Sequence, residues 1–110
     1  LAAARRAEQA RDLRNAAELR VRAEIQQALR DWRTARADVE EIRNRILPAG
    51  QRTVEAATRG FSLGRFAFLD VLDAQRALID ARTRYLQSLQ AVVDAWARIE
   101  RLYGPTTTFE

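Results

Sequence analysis

The side chains best placed to do chemistry in this 110-residue chain are two aspartates, Asp70 and Asp73, within GFSLGRFAFLDVLDAQRAL (residues 60–78). Three positions apart, they fall on one face of a helix. Carboxylates so placed attract cations. Near a helix start they also complement the macrodipole, by about 0.3–1 kcal/mol each. No nucleophile–base constellation can be assembled around them, because His and Cys are both absent. That removes disulfides, thiol nucleophiles, the common zinc-ligand patterns and histidine acid–base chemistry. The sequence predicts no enzyme, no cofactor and no metal-ligating set.

All 19 basic residues are arginine. Residues 1–36 carry nine of them against five acids, and residues 37–110 carry ten of each, so the net charge of +4 sits in the first third. Such an end could contact nucleic acid or an acidic membrane surface. Interleaved acids and the lack of an aromatic stacking platform favour a solvated helix face, so no nucleic acid is expected. An arginine-rich coiled coil that binds nucleic acid, or a generic oligomerisation module, is the alternative, and the former predicts steeply salt-dependent affinity. Methionine is absent, which predicts a piece of a longer chain. There is no run of about 18 apolar residues and no apolar signal-peptide core.

The elements that position Asp70 and Asp73 follow from spacing. Residues 1–47 lack Pro and Gly and are rich in strong helix formers. Ile25, Ala28, Trp32, Ala35, Val39, Ile42, Ile46 and Ala49 alternate gaps of three and four, a heptad seam. Pro48 interrupts this track, predicting a kink or short break, after which Val54, Ala57 and Phe61 continue it. Arm two repeats the rhythm through Val71, Ala74, Leu78, Ala81, Tyr85, Leu89, Val92, Trp96, Ile99 and Tyr103, and closes on Gly104 and Pro105. Five acid–arginine pairs at i,i+4 (Glu18–Arg22, Glu41–Arg45, Glu55–Arg59, Asp80–Arg84, Asp94–Arg98) support the exposed faces.

Gly60 and Gly64 are where a helix can stop and reverse. The predicted fold is therefore all-α: a single long antiparallel coiled-coil hairpin with unequal arms and no β-barrel strands in this piece. Arm one covers about 1–60 with a kink near Pro48, the tip turn about 61–65, arm two about 66–103, and the tail 104–110. Residues 1 to about 22 would project beyond arm two. Trp32, Val39, Ile42, Leu78, Tyr85, Leu89 and Trp96 are the expected seam anchors, although Trp32 or Trp96 could instead face a neighbouring hairpin, and the thin, alanine-rich seam predicts self-association in isolation.

Residues 60–86 also carry a motif: Phe61, Gly64, Asp70, Val71, Leu72, Asp73, Ala74, Gln75, Arg76, Leu78, Ala81, Tyr85 and Leu86. In this pattern the chain resembles the periplasmic tip of the TolC family of outer membrane efflux proteins. ILPAGQRTVEAATRGF before it and ARIERLYG after it resemble the family too, and FLDVLDAQRAL leans toward the heavy-metal branch of CzcC-like and CusC-like channels. The resemblance implies the second of two helical hairpins in each subunit of a homotrimer. Three subunits build a tapered α-barrel in the Gram-negative periplasm, a passive conduit for metal ions or drugs. Expected partners are a periplasmic adaptor (membrane fusion protein) and an inner membrane RND transporter.

On that resemblance Asp70 and Asp73 match carboxylates ringing the pore entrance, where the plain alternative is helix-start chemistry. Ser62, Leu63, Gly64 and Arg65 would form the surface offered to the adaptor, although a lone exposed leucine at a loop tip is common. Arg65 and Phe66 depart from TolC-like tips, so the links between neighbouring hairpins are not carried over. Gly60, Phe61, Phe66, Phe68, Leu69, Leu72, Gln75 and Arg76 complete the turn and family signature, with Phe61, Phe66, Phe68 and Leu69 expected to staple the arms together.

Overall fold

A computed structural model of the chain describes residues 1–104. Pro105 and the rest of the tail lie outside the described residues. Three helices follow one another: α1 (Ala2–Glu41), α2 (Leu47–Ser62) and α3 (Phe68–Tyr103), with a π-helical turn (Ile42–Ile46) joining α1 to α2. Arm one is therefore a continuous helical track from Ala2 to Ser62, and α3 returns antiparallel to it. The molecule is a rod of 90 × 37 × 15 Å.

Pro48 does not break arm one. In a regular helix its ring would press on the carbonyl of Asn44, four residues earlier, and its missing N–H would leave that carbonyl unpaired. The turn widens instead: the Leu47 N–H donates to the Ile42 carbonyl, five residues back. The cost is one extra residue in the track. Above the turn Ala28, Ala35, Val39 and Ile42 are buried; below it the inward positions are Gly50, Val54 and Ala57, and Ala49 is exposed. The expected seam position Ala49 has passed to Gly50. There the arms run close: a Cβ on Gly50 would stand 3.2 Å from Leu78 Cδ1.

On α3 the buried residues are Val71, Ala74, Leu78, Ala81, Ser88, Ala95 and Ile99, with Tyr85, Val92 and Leu102 half-buried between and beyond them. This is an unbroken three-and-four rhythm. It runs through Ser88 and Ala95, so of the expected anchors Leu89 and Trp96 sit one position off the seam, on its exposed flank. At those two levels the inward positions are held by the small side chains of Ser88 and Ala95. Val39, Ile42 and Leu78 are buried, and Trp32 and Tyr85 half-buried. Trp96 still reaches Trp32 across the arms, ring centroids 5.5 Å apart, and the Arg36 guanidinium lies 4.9 Å from the Trp32 ring.

Of the five expected i,i+4 ion pairs, Glu41–Arg45 forms, at 3.2 Å. Arg98 passes over Asp94 and crosses the hairpin to Asp31 at 2.9 Å, while Asp94 accepts from Gln90. The antiparallel register brings Asp31 within reach, and the bond then ties two elements together. Gln27 also donates to Asp31. These two hydrogen bonds, Gln27 first and Arg98 second, hold the Asp31 carboxyl below its ordinary range. Residues 1–24 are all exposed, so arm one overhangs α3 by about 36 Å at 1.5 Å per residue. Among the described residues no helix is long and apolar enough to cross a membrane.

Candidate functional site: the hairpin tip and the flank of α3

The chain reverses over residues 63–67. The Arg65 N–H donates to the Gly60 carbonyl at 2.8 Å and the Gly64 N–H to the Phe61 carbonyl at 3.0 Å, the paired bonds of a Schellman motif. Gly64 takes the left-handed conformation this motif requires, φ +73°. The other glycine works differently from expectation. Gly60 is helical and buried, and a Cβ there would fall 2.1 Å from the Phe66 ring. Its role is to let Phe66 fold back onto the end of α2.

Arm two starts on a local bond. The Ala67 N–H donates to Asp70 Oδ2 at 2.9 Å, and the Asp70 N–H donates to the Ala67 carbonyl at 3.0 Å. Asp70 thus supplies the acidic half of a capping box. Asp73 is exposed one turn on. Both aspartates border a shallow groove of about 640 Å³ whose walls are Thr53, Ala56, Ala57, Phe66, Ala74 and Ala77.

Around the turn the side chains divide by job. The Ser62 hydroxyl donates back to the carbonyls of Thr58 and Arg59. Phe61 and Phe68 meet across the reversal, centroids 5.4 Å apart. Leu63 is 64% exposed, and Phe61, Phe66, Phe68 and Leu69 also keep large exposed areas, so the aromatic contacts leave an apolar cap at the end of the rod. Arg65 stands beside that cap with no ion-pair partner among the described residues. Leu72 is half-buried; Gln75 and Arg76 are exposed and away from the groove.

A second apolar surface runs up α3. Ile79, Leu86 and Val93 are 58, 66 and 61% exposed; seven residues apart, they form a line one position round from the seam, and Leu89 and Trp96 lie alongside. Leu89 and Trp96 were expected in the seam. The signal was present in the seven-residue repeat of Leu72, Ile79, Leu86 and Val93.

Residues 1–105 match the family described as "Outer membrane efflux protein". The chain belongs to that family. It is 36% identical over 102 residues to the cobalt-zinc-cadmium resistance protein CzcC of Cupriavidus metallidurans, a match that covers 93% of this chain and 24% of that protein. The chain thus spans about a quarter of the length of this relative, and the identity over nearly the whole chain bears out the leaning of FLDVLDAQRAL toward the heavy-metal branch. No solved structure matches the chain. The family match takes in the arginine-rich residues 1–36 together with the hairpin, as one stretch of an efflux protein.

Proposed function

We propose that the chain is a wall stave of an outer membrane efflux channel: a periplasmic hairpin that packs edge to edge with others to enclose a passive duct for metal cations. The observation that carries this reading is the apolar line on α3. A free-standing hairpin gains nothing by exposing Ile79, Leu86 and Val93 in register, whereas a stave needs an apolar flank to seal against its neighbour. The overhanging residues 1–24, exposed along their whole length, fit the same layout. In such a channel this chain does no chemistry, and the energy comes from an inner membrane transporter.

The tip is the end that would meet the periplasmic adaptor. Its apolar cap of Leu63, Phe66 and Leu69, with Arg65 beside it, offers a contact surface of the kind that becomes buried on docking. Asp73, unlike Asp70, makes no helix-start bond and is free to act at the entrance. In bilayer recordings of the full-length channel, Asp73→Ala is expected to weaken cation block. Unchanged block in a variant that still conducts would remove Asp73 from the entrance.

The relative's printed name points to cobalt, zinc and cadmium as cargo. Cells lacking the gene that encodes this chain should retain more of these metals than complemented cells. Equal retention in both would overturn the metal-efflux reading.

A further inference from the structure

The extra residue in the π turn decides which face of α2 meets α3. Gly50, Val54 and Ala57 now face the seam, while Ala49, Thr53 and Ala56, one residue earlier each, are exposed. The second set is the one that the spacing of Val39, Ile42 and Ile46 would carry forward without the insertion. Both sets consist of small side chains, so either could sit where the arms run close.

Three further observations bear on exchange between them. Thr53 and Ala56 wall the open groove beside the seam, so there is space there for Arg52 and Glu55, the residues that a one-residue turn of α2 brings to that side. Among the described residues no side-chain hydrogen bond or ion pair joins α2 to α3; the cross-arm bond, Arg98 to Asp31, lies above the π turn. The hydroxyls of Thr53, Thr58 and Ser62 are all satisfied by carbonyls of their own helix and would travel with it.

We propose that the π turn at Ile42–Ile46 is a register pivot for the tip. When it resolves into ordinary α-helix, α2 turns by one residue, about 100° and about 1.5 Å along its axis. Ala49, Thr53 and Ala56 then replace Gly50, Val54 and Ala57 in the seam, and Arg52 and Glu55 come to fill the groove bordered by Asp70 and Asp73. Pro48 biases the pivot toward the π form, because its ring and missing N–H penalise the α form at this point. Packed elements with two discrete arrangements are how small shifts become switches. As a gating device the pivot rests on the duct reading; the register change itself does not.

The test is disulfide trapping in the full-length protein, where this chain brings no native cysteine. The pair Ala57→Cys with Ala74→Cys reports the present register, since both residues lie in one buried cluster. Ala56→Cys with Ala74→Cys reports the turned one, and Glu55→Cys with Ala74→Cys, farther from the seam in either register, is the control. The 56–74 bond is expected to form faster than the control, and Pro48→Ala should raise its yield by about tenfold or more, since an interior proline penalises the α form by at least that factor. Deleting Asn44 in the Pro48→Ala background removes the surplus residue and should return the yield to 57–74 alone. A 56–74 rate equal to the control with and without Pro48 would overturn the pivot. Trapping as expected with no effect of the gene on metal retention would instead leave the pivot standing and overturn the duct reading.

Discussion

Gly60 and Phe66 show how much of the tip depends on a missing side chain. A methyl at position 60 would overlap a ring whose place is fixed by the bonds from Arg65 and Phe66 back to the Gly60 carbonyl. Gly60→Ala is expected to destabilise the hairpin by about 1–3 kcal/mol, the usual range for overpacking. The double variant Gly60→Ala, Phe66→Ala should recover most of the loss, which thermal unfolding of the two variants measures directly. Equal losses in both would place the cost in the backbone rather than in the ring. This pairing was not legible in the sequence. Two glycines four apart beside aromatic residues read as two helix stops, and only the close approach of Phe66 separates the left-handed Gly64 from the packed Gly60.

At the scale of the elements, the two arms, their reversal and the length of the overhang were legible because they rest on strong and repeated signals. Helix formers without Gly or Pro run from residue 1 to 47, and apolar residues recur at gaps of three and four on both arms. Two things were not. Pro48 announced a disturbance but not its form, since a kink, a break and a π turn all answer the same lost hydrogen bond. The phase of the α3 seam slipped at Ser88 because Leu89, Trp96 and Tyr103 are larger and satisfy a gap of four just as well. In the structure Ser88 and Ala95 are buried and Leu102 half-buried instead. Among the described residues the ion pair that joins the arms is Asp31 with Arg98, in their upper half, and the chemistry of Asp31 makes a pH prediction. Because the folded state depresses its pKa below the ordinary 3.8, the stabilisation is complete above that value and is lost as pH falls through the folded one. Thermal midpoints followed by circular dichroism should decline over that acid window. Asp31→Asn should remove its share of the decline, and an identical pH profile for wild type and variant would show that the bond contributes nothing.

At the scale of the whole molecule, a rod 15 Å thick buries too little to be complete alone. The described core is made mostly of alanines, with no large side chain fully buried, while Ile79, Leu86 and Val93 stay in water. Burying an aliphatic side chain of this size contributes about 1.5–3 kcal/mol, so on the proposed reading three in register on each stave would supply the cohesion the hairpin lacks within itself. The same line, placed off the seam, leaves hairpin folding largely independent of it. A charged replacement there should harm assembly and spare the fold, a separation that core substitutions cannot achieve.

The central claim, that this hairpin functions as one stave sealed against its neighbours, is tested most directly by the native mass of the full-length protein extracted in detergent. The comparison is wild type against the Ile79→Asp, Leu86→Asp variant. The account predicts a trimer for the wild type and a shift to monomer for the variant, with helical content unchanged. A variant that remains trimeric would contradict it, because the apolar line on α3 would then not be the seal between staves.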